Sequence, residues 1–404
     1  MPLKERDKTR VLCIDHEGGR GGSSKSLFES IEVVDRTRLE VSVWCRRESH
    51  LTKAYEARGV ATRVVADWPR FTPLDRFAPS VFSLMISAFR FTRFAGGHRA
   101  LLEEIGQRFD VVHLNHETLF PLAWLIRRHS TIPISMHIRT VQFDTALSRW
   151  QTRMIVRLVD FLYFISANEQ RNFRNRGGRE TRQIVLTNIV NPVLNSEPLT
   201  TLPPSSNLLV SSIGNFSLEN GTDRLIELAQ TLQAWNRTDI HFVVAGQMRL
   251  PRQMRRQLPL QANAAETLSA LAEGLGLSCY FTFLGHISNP QSVLDVTQIG
   301  IKLNRLGSNW GRDVLEALVS GVPILAVGQD KTFVRPGETG LLFVDYDPEH
   351  ICEALVYLKD NPTELERLTE RAKACAQEIN NPAHHGATLT AQWQKLHRDG
   401  RAEL

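Results

Sequence analysis

Lysine is missing from position 54 to position 301 of this 404-residue chain, so the positive charge through its middle is carried by arginine. Arginine presents a planar fork that matches phosphate oxygens, which makes anionic substrates or an anionic membrane surface reasonable partners. The formal net charge is only +5, and neither a zinc-finger spacing nor an RNA-binding signature occurs, which argues against nucleic acid. Cysteine is scarce too. Cys13, Cys45, Cys279, Cys352 and Cys375 lie far apart and never form a C-x-x-C pair, which excludes a disulfide framework and a cysteine metal site and points to a reducing compartment. Long apolar runs are also absent: none approaches the roughly 20 residues a membrane-spanning helix needs. The start, "MPLKERDKTRVLCID", is charged and only briefly apolar, unlike a secretory signal. A cytoplasmic protein is expected.

What the chain does contain is alternation. Short apolar runs, "RVLCID", "LEVSVWC", "VVHLN", "IPISMHI" and "FLYFIS", are separated by helical patterns, the signature of a parallel α/β sheet. A segment rich in Pro, Ser and Thr, "NSEPLTTLPPSSN", interrupts them and reads as a linker. The alternation then restarts with "NLLVSSIGNF", "IHFVVAG", "CYFTFLG", "QIGIKLN", "VPILAVG" and "TGLLFV". Two Rossmann-like domains are the simplest account: 1–195, a linker 196–207, 208–380, and a last helix 381–404 that crosses back to the first domain. Ligands of open parallel sheets bind beyond the carboxyl ends of the strands, so two such domains are expected to face each other across a cleft.

Two stretches stand at such ends. "HEGGRGGSSKSL" after the first strand comes close to a phosphate-cradling P-loop, but Ser24 replaces the glycine before Lys25, where a Cβ obstructs the curl around an anion. A plain strand-to-helix turn capped by Ser23 or Ser24 is the competing reading. The block from Gly300 to Val344 is richer: a strand leads into Arg305, Asn309, Trp310, Gly311 and Arg312, then into the helix pattern "DVLEALVSG". A helix start with open N–H groups and an adjacent arginine suits an anion. Glu316, amid "VLEALV", needs a ligand or cation partner because an unpaired buried charge is costly. His116 and Glu117 in "NHET" follow the strand "VVHL", and Arg249 after "VVAGQM" is a further cation candidate.

These blocks, with "SIGNFSLENGTDRLIELAQTL", "YFTFLGHI", "GRDVLEALVSGVPILAVG" and "VRPGETGLLF" in order, resemble the family-four retaining glycosyltransferases of the GT-B fold. The resemblance implies two Rossmann-like domains and transfer of a sugar from a nucleotide-diphosphate donor, the co-substrate, with no other cofactor and no metal. It also implies a surface-glycan or lipid-linked acceptor. Residue by residue it gives Glu316 the nucleotide ribose, and Ser308 and Asn309 the surroundings of the donor sugar. Gly214 and Gly311 take places near the donor, His137 the donor-facing position of the first domain, and Gly21 and Gly22 a loop that approaches donor and acceptor.

The departures are specific. The first Glu of the family's E-x7-E motif falls on Ser308, and its two donor-phosphate cations fall on Asn215 and Asn220. Arg305 and Arg312 are the expected substitutes, acting with His137 at the reaction centre; the alternative is a degenerate protein that binds a nucleotide sugar or partner without turnover. Between Arg70 and Arg99, Phe and Arg interleave. That pattern reads as a buried helix with an Arg rim, or as a surface for anionic lipid on the inner face of the membrane.

Overall fold

The computed structural model describes residues 8–19, 21–71, 81–179, 182–191, 199, 202–203, 206–218, 220–250, 265–287, 289–305 and 307–402. They fall into two compact units, Met1–Ile189 with Asn381–Leu404, and Val190–Asn380. Most of the linker expected at 196–207 lies outside the described residues.

The first unit is built on seven parallel strands: β1 (Thr9–Asp15), β2 (Leu39–Cys45), β3 (Ala61–Val64), β4 (Val111–Leu114), β5 (Ile134–Ile138), β6 (Phe161–Phe164) and β7 (Gln183–Val185). Their order across the sheet is β3-β2-β1-β4-β5-β6-β7. Central strands such as β4, "VVHL", are buried at every position, as parallel strands covered on both faces must be. Side chains alternate between faces: Leu12, Ile14, Val112, Leu114 and Met136 enter one core, while Val11, Cys13, Val111 and Tyr163 enter another with Leu389 and Trp393. The latter two come from the last helix, Pro382–Ala402. His385 of that helix bonds Ser30 Oγ through Nε2 at 2.8 Å and the Thr187 carbonyl through Nδ1 at 2.9 Å.

The second unit has six parallel strands: β8 (Leu208–Ile213), β9 (Ile240–Ala245), β10 (Phe281–Gly285), β11 (Ile299–Lys302), β12 (Ile324–Val327) and β13 (Gly340–Phe343), ordered β10-β9-β8-β11-β12-β13. The helix Arg224–Ala234 buries Leu225, Leu228, Ala229 and Leu232, the four-residue periodicity of an amphipathic face. In both sheets the chain order reverses beside the first strand, so the carboxyl ends of β1 and β4, and of β8 and β11, are where the topology opens a ligand crevice.

Candidate functional site

In the second unit, β8 runs out into Gly214 and Asn215, and β9 into Gly246. Gly246 has φ 136°, and a Cβ there would lie 2.1 Å from the Gly214 carbonyl oxygen, so the two loops touch where only glycine fits. Asn215 fastens them: its Oδ1 accepts from the Gln247 N–H at 2.9 Å. Asn220 donates its backbone N–H to Ser217 Oγ at 3.1 Å. Gly214, Asn215, Asn220, Gly221, Lys302 and Asp313 line one recess.

Lys302, at the end of β11, is its cation, with Nζ 2.7 Å from Asp313 Oδ2. Asp313 belongs to the first turn of the helix Arg312–Val319, which begins after Gly311. A Cβ on Gly311 would come within 2.3 Å of Asp313 Oδ1 and 3.3 Å of Lys302 Nζ, so the glycine leaves room for the pair. The two cations expected from the sequence are committed to carboxylates. Arg305 makes a fork with Asp223 at 2.7 and 2.6 Å and also donates to the Leu218 carbonyl at 2.7 Å; the Asp223 hydrogen bond raises its already high pKa. Arg312 donates through Nε to Glu316 Oε1 at 2.8 Å, with both side chains 9% exposed. Arg312 is thus the cation partner that Glu316 called for.

The segment ahead of that helix turns inward. Ser308 and Asn309 are buried, and Asn309 Nδ2 donates to the Asp330 carbonyl at 2.5 Å. Trp310 stacks on Phe333 with centroids 3.8 Å apart, so packing, not an open face, occupies its ring. Arg249 is exposed and bridges Thr267 through its backbone.

In the first unit, the register Ile14↔Leu114 sets "DHE" at the end of β1 beside "NHE" at the end of β4. The His16 and His116 rings meet at 4.1 Å. Asp15 accepts from the Gly18 N–H at 2.9 Å and from Ser24 Oγ at 2.7 Å. The loop therefore wraps a carboxylate of its own chain where a P-loop would wrap a phosphate. The capping role expected of Ser23 or Ser24 is not found: Gly21 is the N-cap of the helix Gly22–Val33, with no side-chain cap, because the Ser24 hydroxyl is spent on Asp15. Glu117 accepts from the Arg139 N–H at 2.9 Å and from Thr140 Oγ1, and Arg139 reaches Asn115 Oδ1 at 2.6 Å and Asn188 Oδ1 at 3.0 Å. Burial pushes His116 down to about 3, so it stands beside Glu117 as a neutral ring whose Nδ1 accepts from the Thr118 N–H at 3.2 Å.

His137 is placed inside the unit. It is 1% exposed, and its Nδ1 lies 2.9 Å from Nε2 of His113, whose own Nδ1 meets Ser135 Oγ at 2.9 Å. Burial, then the Arg139 charge, pushes His113 down to about 3, and burial holds His137 well below the usual range. Two neutral imidazoles share one proton along this line. The strand is followed by Arg139, itself buried, whose guanidinium ties Asn115 to Asn188 and which the sequence alone did not single out.

Two parallel α/β units of this topology match the GT-B fold of glycosyltransferase structures. Residues 200–374 match the family described as Glycosyl transferases group 1, and residues 21–188 match the Glycosyl transferase 4-like domain. The chain belongs to the group 1 glycosyltransferases and is a transferase. Among solved structures, it is similar to HepE of Anabaena in complex with UDP and glucose, at 16% identity and TM-score 0.71 over 96% of this chain and 99% of that one. Sucrose-phosphate synthase from Thermosynechococcus elongatus aligns at 15% identity and TM-score 0.70 over 97% and 100% of the two chains. The lipopolysaccharide outer core galactosyltransferase WaaB in its apo form aligns at 15% identity and TM-score 0.60 over 96% and 99%. No curated protein sequence matches significantly. Among the described residues no helix is long and apolar enough to cross a membrane.

Proposed function

We propose that the protein moves a sugar from a nucleoside-diphosphate donor, held by the second unit, to a glycan or lipid-linked acceptor, with retention of configuration and without a metal. The observation that carries this reading is the polar recess at the ends of β8 and β11 with the Lys302 ammonium in its wall. A diphosphate there would meet backbone N–H groups, the N-terminal end of the helix Arg312–Val319 and one ammonium, which together supply a positive field. Lys302 takes over from the two cations whose places hold Asn215 and Asn220. Glu316, aligned by Arg312, would accept from the ribose hydroxyls; two carboxylate oxygens against a diol is a matched geometry.

Transfer then breaks the bond between the anomeric carbon and the diphosphate oxygen and forms one to an acceptor oxygen on the same face. The acceptor proton passes to the departing phosphate, which leaves as nucleoside diphosphate. The protein contributes orientation and stabilisation of the leaving charge, and the pairs Arg305–Asp223 and Arg312–Glu316 act as positioning groups. Titration with UDP, GDP and ADP in EDTA tests the reading. Binding of one of them without divalent metal is expected; binding that appears only with magnesium, or no binding to any, would contradict it.

A further inference from the structure

Several arginines of the first unit sit on a carboxylate, among them Arg10 on Asp110, Arg58 on Glu32, Arg63 on Glu104 and Arg99 on Glu103. Others do not, and four of these act on one another. Among the described residues, Arg46 and Arg47 after β2, Arg70 after β3, and Arg90 on the helix Val81–Gly97 form no salt bridge. Two of them, Arg70 and Arg47, meet the glycine loop that follows β1. Arg70 donates to the His16 carbonyl at 3.3 Å, and Arg46 Nε donates to the Ala66 carbonyl at 3.1 Å. The backbone of Arg47 packs under Gly18, where a Cβ would lie 2.7 Å from the Arg47 nitrogen.

The four charges act on one another. Burial, then Arg47 and Arg90, lowers the Arg46 pKa, with Asp67 opposing from a distance. Burial, then Arg46, Arg47 and Arg90, lowers that of Arg70 against the pull of Glu17. Gathering like charges beside a partly desolvated loop is unfavourable unless an anion completes the arrangement. Scattered, solvated arginines would avoid one another or take the surface carboxylates that their neighbours use.

We propose that Arg46, Arg47, Arg70 and Arg90 form a binding site for a phosphate or diphosphate group carried by the acceptor. The word acceptor rests on the transferase reading above; the anion site rests on the cluster. Guanidinium forks bind phosphate oxygens in pairs, and the position, at the carboxyl end of the sheet beside a loop of left-handed glycines (Gly18 φ 77°, Gly19 φ 95°), is where an open α/β sheet takes ligands. Met85 and Phe89, one turn apart on the helix that carries Arg90, are each 65% exposed, so the charged site continues into an apolar strip that suits a phosphate borne by a lipid.

The test uses the full chain saturated with the nucleoside diphosphate it binds best, so that the second unit is occupied. Binding of inorganic pyrophosphate is measured by calorimetry, and retention on vesicles of phosphatidylcholine with and without phosphatidylglycerol by sedimentation at low and high salt. Arg46→Gln, Arg70→Gln and Arg90→Gln should each weaken pyrophosphate binding about tenfold or more, the loss of one charge-assisted contact. Arg63→Gln, which removes the same charge from a paired arginine, should leave it unchanged, and nucleoside diphosphate affinity should hold in all four. If a half-buried arginine cannot be replaced without unfolding, Arg47→Gln, exposed, gives the reading. Salt-sensitive retention on anionic vesicles that Met85→Ser and Phe89→Ser abolish identifies a lipid-borne phosphate; pyrophosphate binding without vesicle preference identifies a soluble one. No pyrophosphate binding and no vesicle preference, or equal losses in Arg63→Gln, would overturn the site. A wild type that binds pyrophosphate at this cluster but none of UDP, GDP and ADP would overturn the transferase reading and leave the anion site standing.

Discussion

The ammonium of Lys302 and the carboxylate of Asp313 lie 2.7 Å apart in the wall of a recess that Asn215 and Asn220 also line. Their charges cancel until something negative enters. Asp313 is in the first turn of its helix, where the dipole favours a carboxylate and would equally favour a phosphate. Lys302→Met should therefore weaken nucleoside diphosphate binding by about 1.5–3 kcal/mol, the range for hydrogen bonds to charged groups. Asp313→Asn, which removes the competing anion, should strengthen it. Calorimetric titration of both variants checks the opposite signs; unchanged affinity in both would make the pair structural.

The Arg312–Glu316 bridge predicts a separable effect. Glu316→Gln takes a carboxylate from a nearly buried guanidinium, a change that costs up to about 3–5 kcal/mol when a buried pair is broken on one side. Adding Arg312→Met should restore much of the melting temperature, since replacing both members of a buried pair by apolar groups is often neutral. Nucleotide affinity should not return with it. Recovery of both would contradict the ribose role proposed for Glu316.

The strands were legible because apolar runs bounded by turn residues are long in central strands; the eleven runs quoted from the sequence each contain one. β3 and β7 were not, because edge strands of four and three residues, with the pattern of "ATRV" exposed or half-exposed throughout, carry no hydrophobic signal. The site was less legible than the fold. Arg305 and Arg312 looked available because sequence gives no view of Asp223, 82 residues away in the chain, or of an i,i+4 carboxylate closing on its neighbour. Lys302 had a signal that was visible: it is the first lysine after Lys53 and stands inside an apolar run, "QIGIKLN". His137 sits at a strand end, which reads as a rim position. Strand alternation sends it to the same face as Ser135, and both meet His113.

The buried histidines of the first unit fix a pH dependence. His113 and His116 are pushed down to about 3 and His385 to about 4 by burial, so each is neutral when folded and binds a proton more readily when unfolded, at about 6.5. Stability from these groups is complete above about pH 6.5 and is lost as pH falls towards the folded values, by up to about 1.4 kcal/mol per pH unit for each histidine. His116→Asn keeps an acceptor for the Thr118 N–H and removes one titrating ring, so denaturation followed between pH 7 and pH 4 should show a slope shallower by up to one proton. An identical slope would place His116 outside the linkage.

Gly386 ties the last helix to the first unit. A Cβ there would lie 2.0 Å from the Val33 carbonyl oxygen, a backbone atom that cannot swing away, so Gly386→Ala should destabilise by about 1–3 kcal/mol, as overpacking does. A thermal melt checks it, and an unchanged midpoint would mean that the helix does not dock this closely.

The most direct measurement is donor turnover. In EDTA, the purified chain is incubated with UDP-, GDP- and ADP-sugars, with and without glycan and lipid-phosphate acceptors, and free nucleoside diphosphate and glycosylated product are quantified for the wild type and Lys302→Met. The account predicts release from one nucleotide class, accelerated by an acceptor, a product of the donor's anomeric configuration, and a rate lowered about 100- to 1000-fold in Lys302→Met, the usual loss when one electrostatic group at a developing charge is removed. Tight binding of a nucleotide sugar with no release or transfer to any acceptor, or full activity in Lys302→Met, would contradict it.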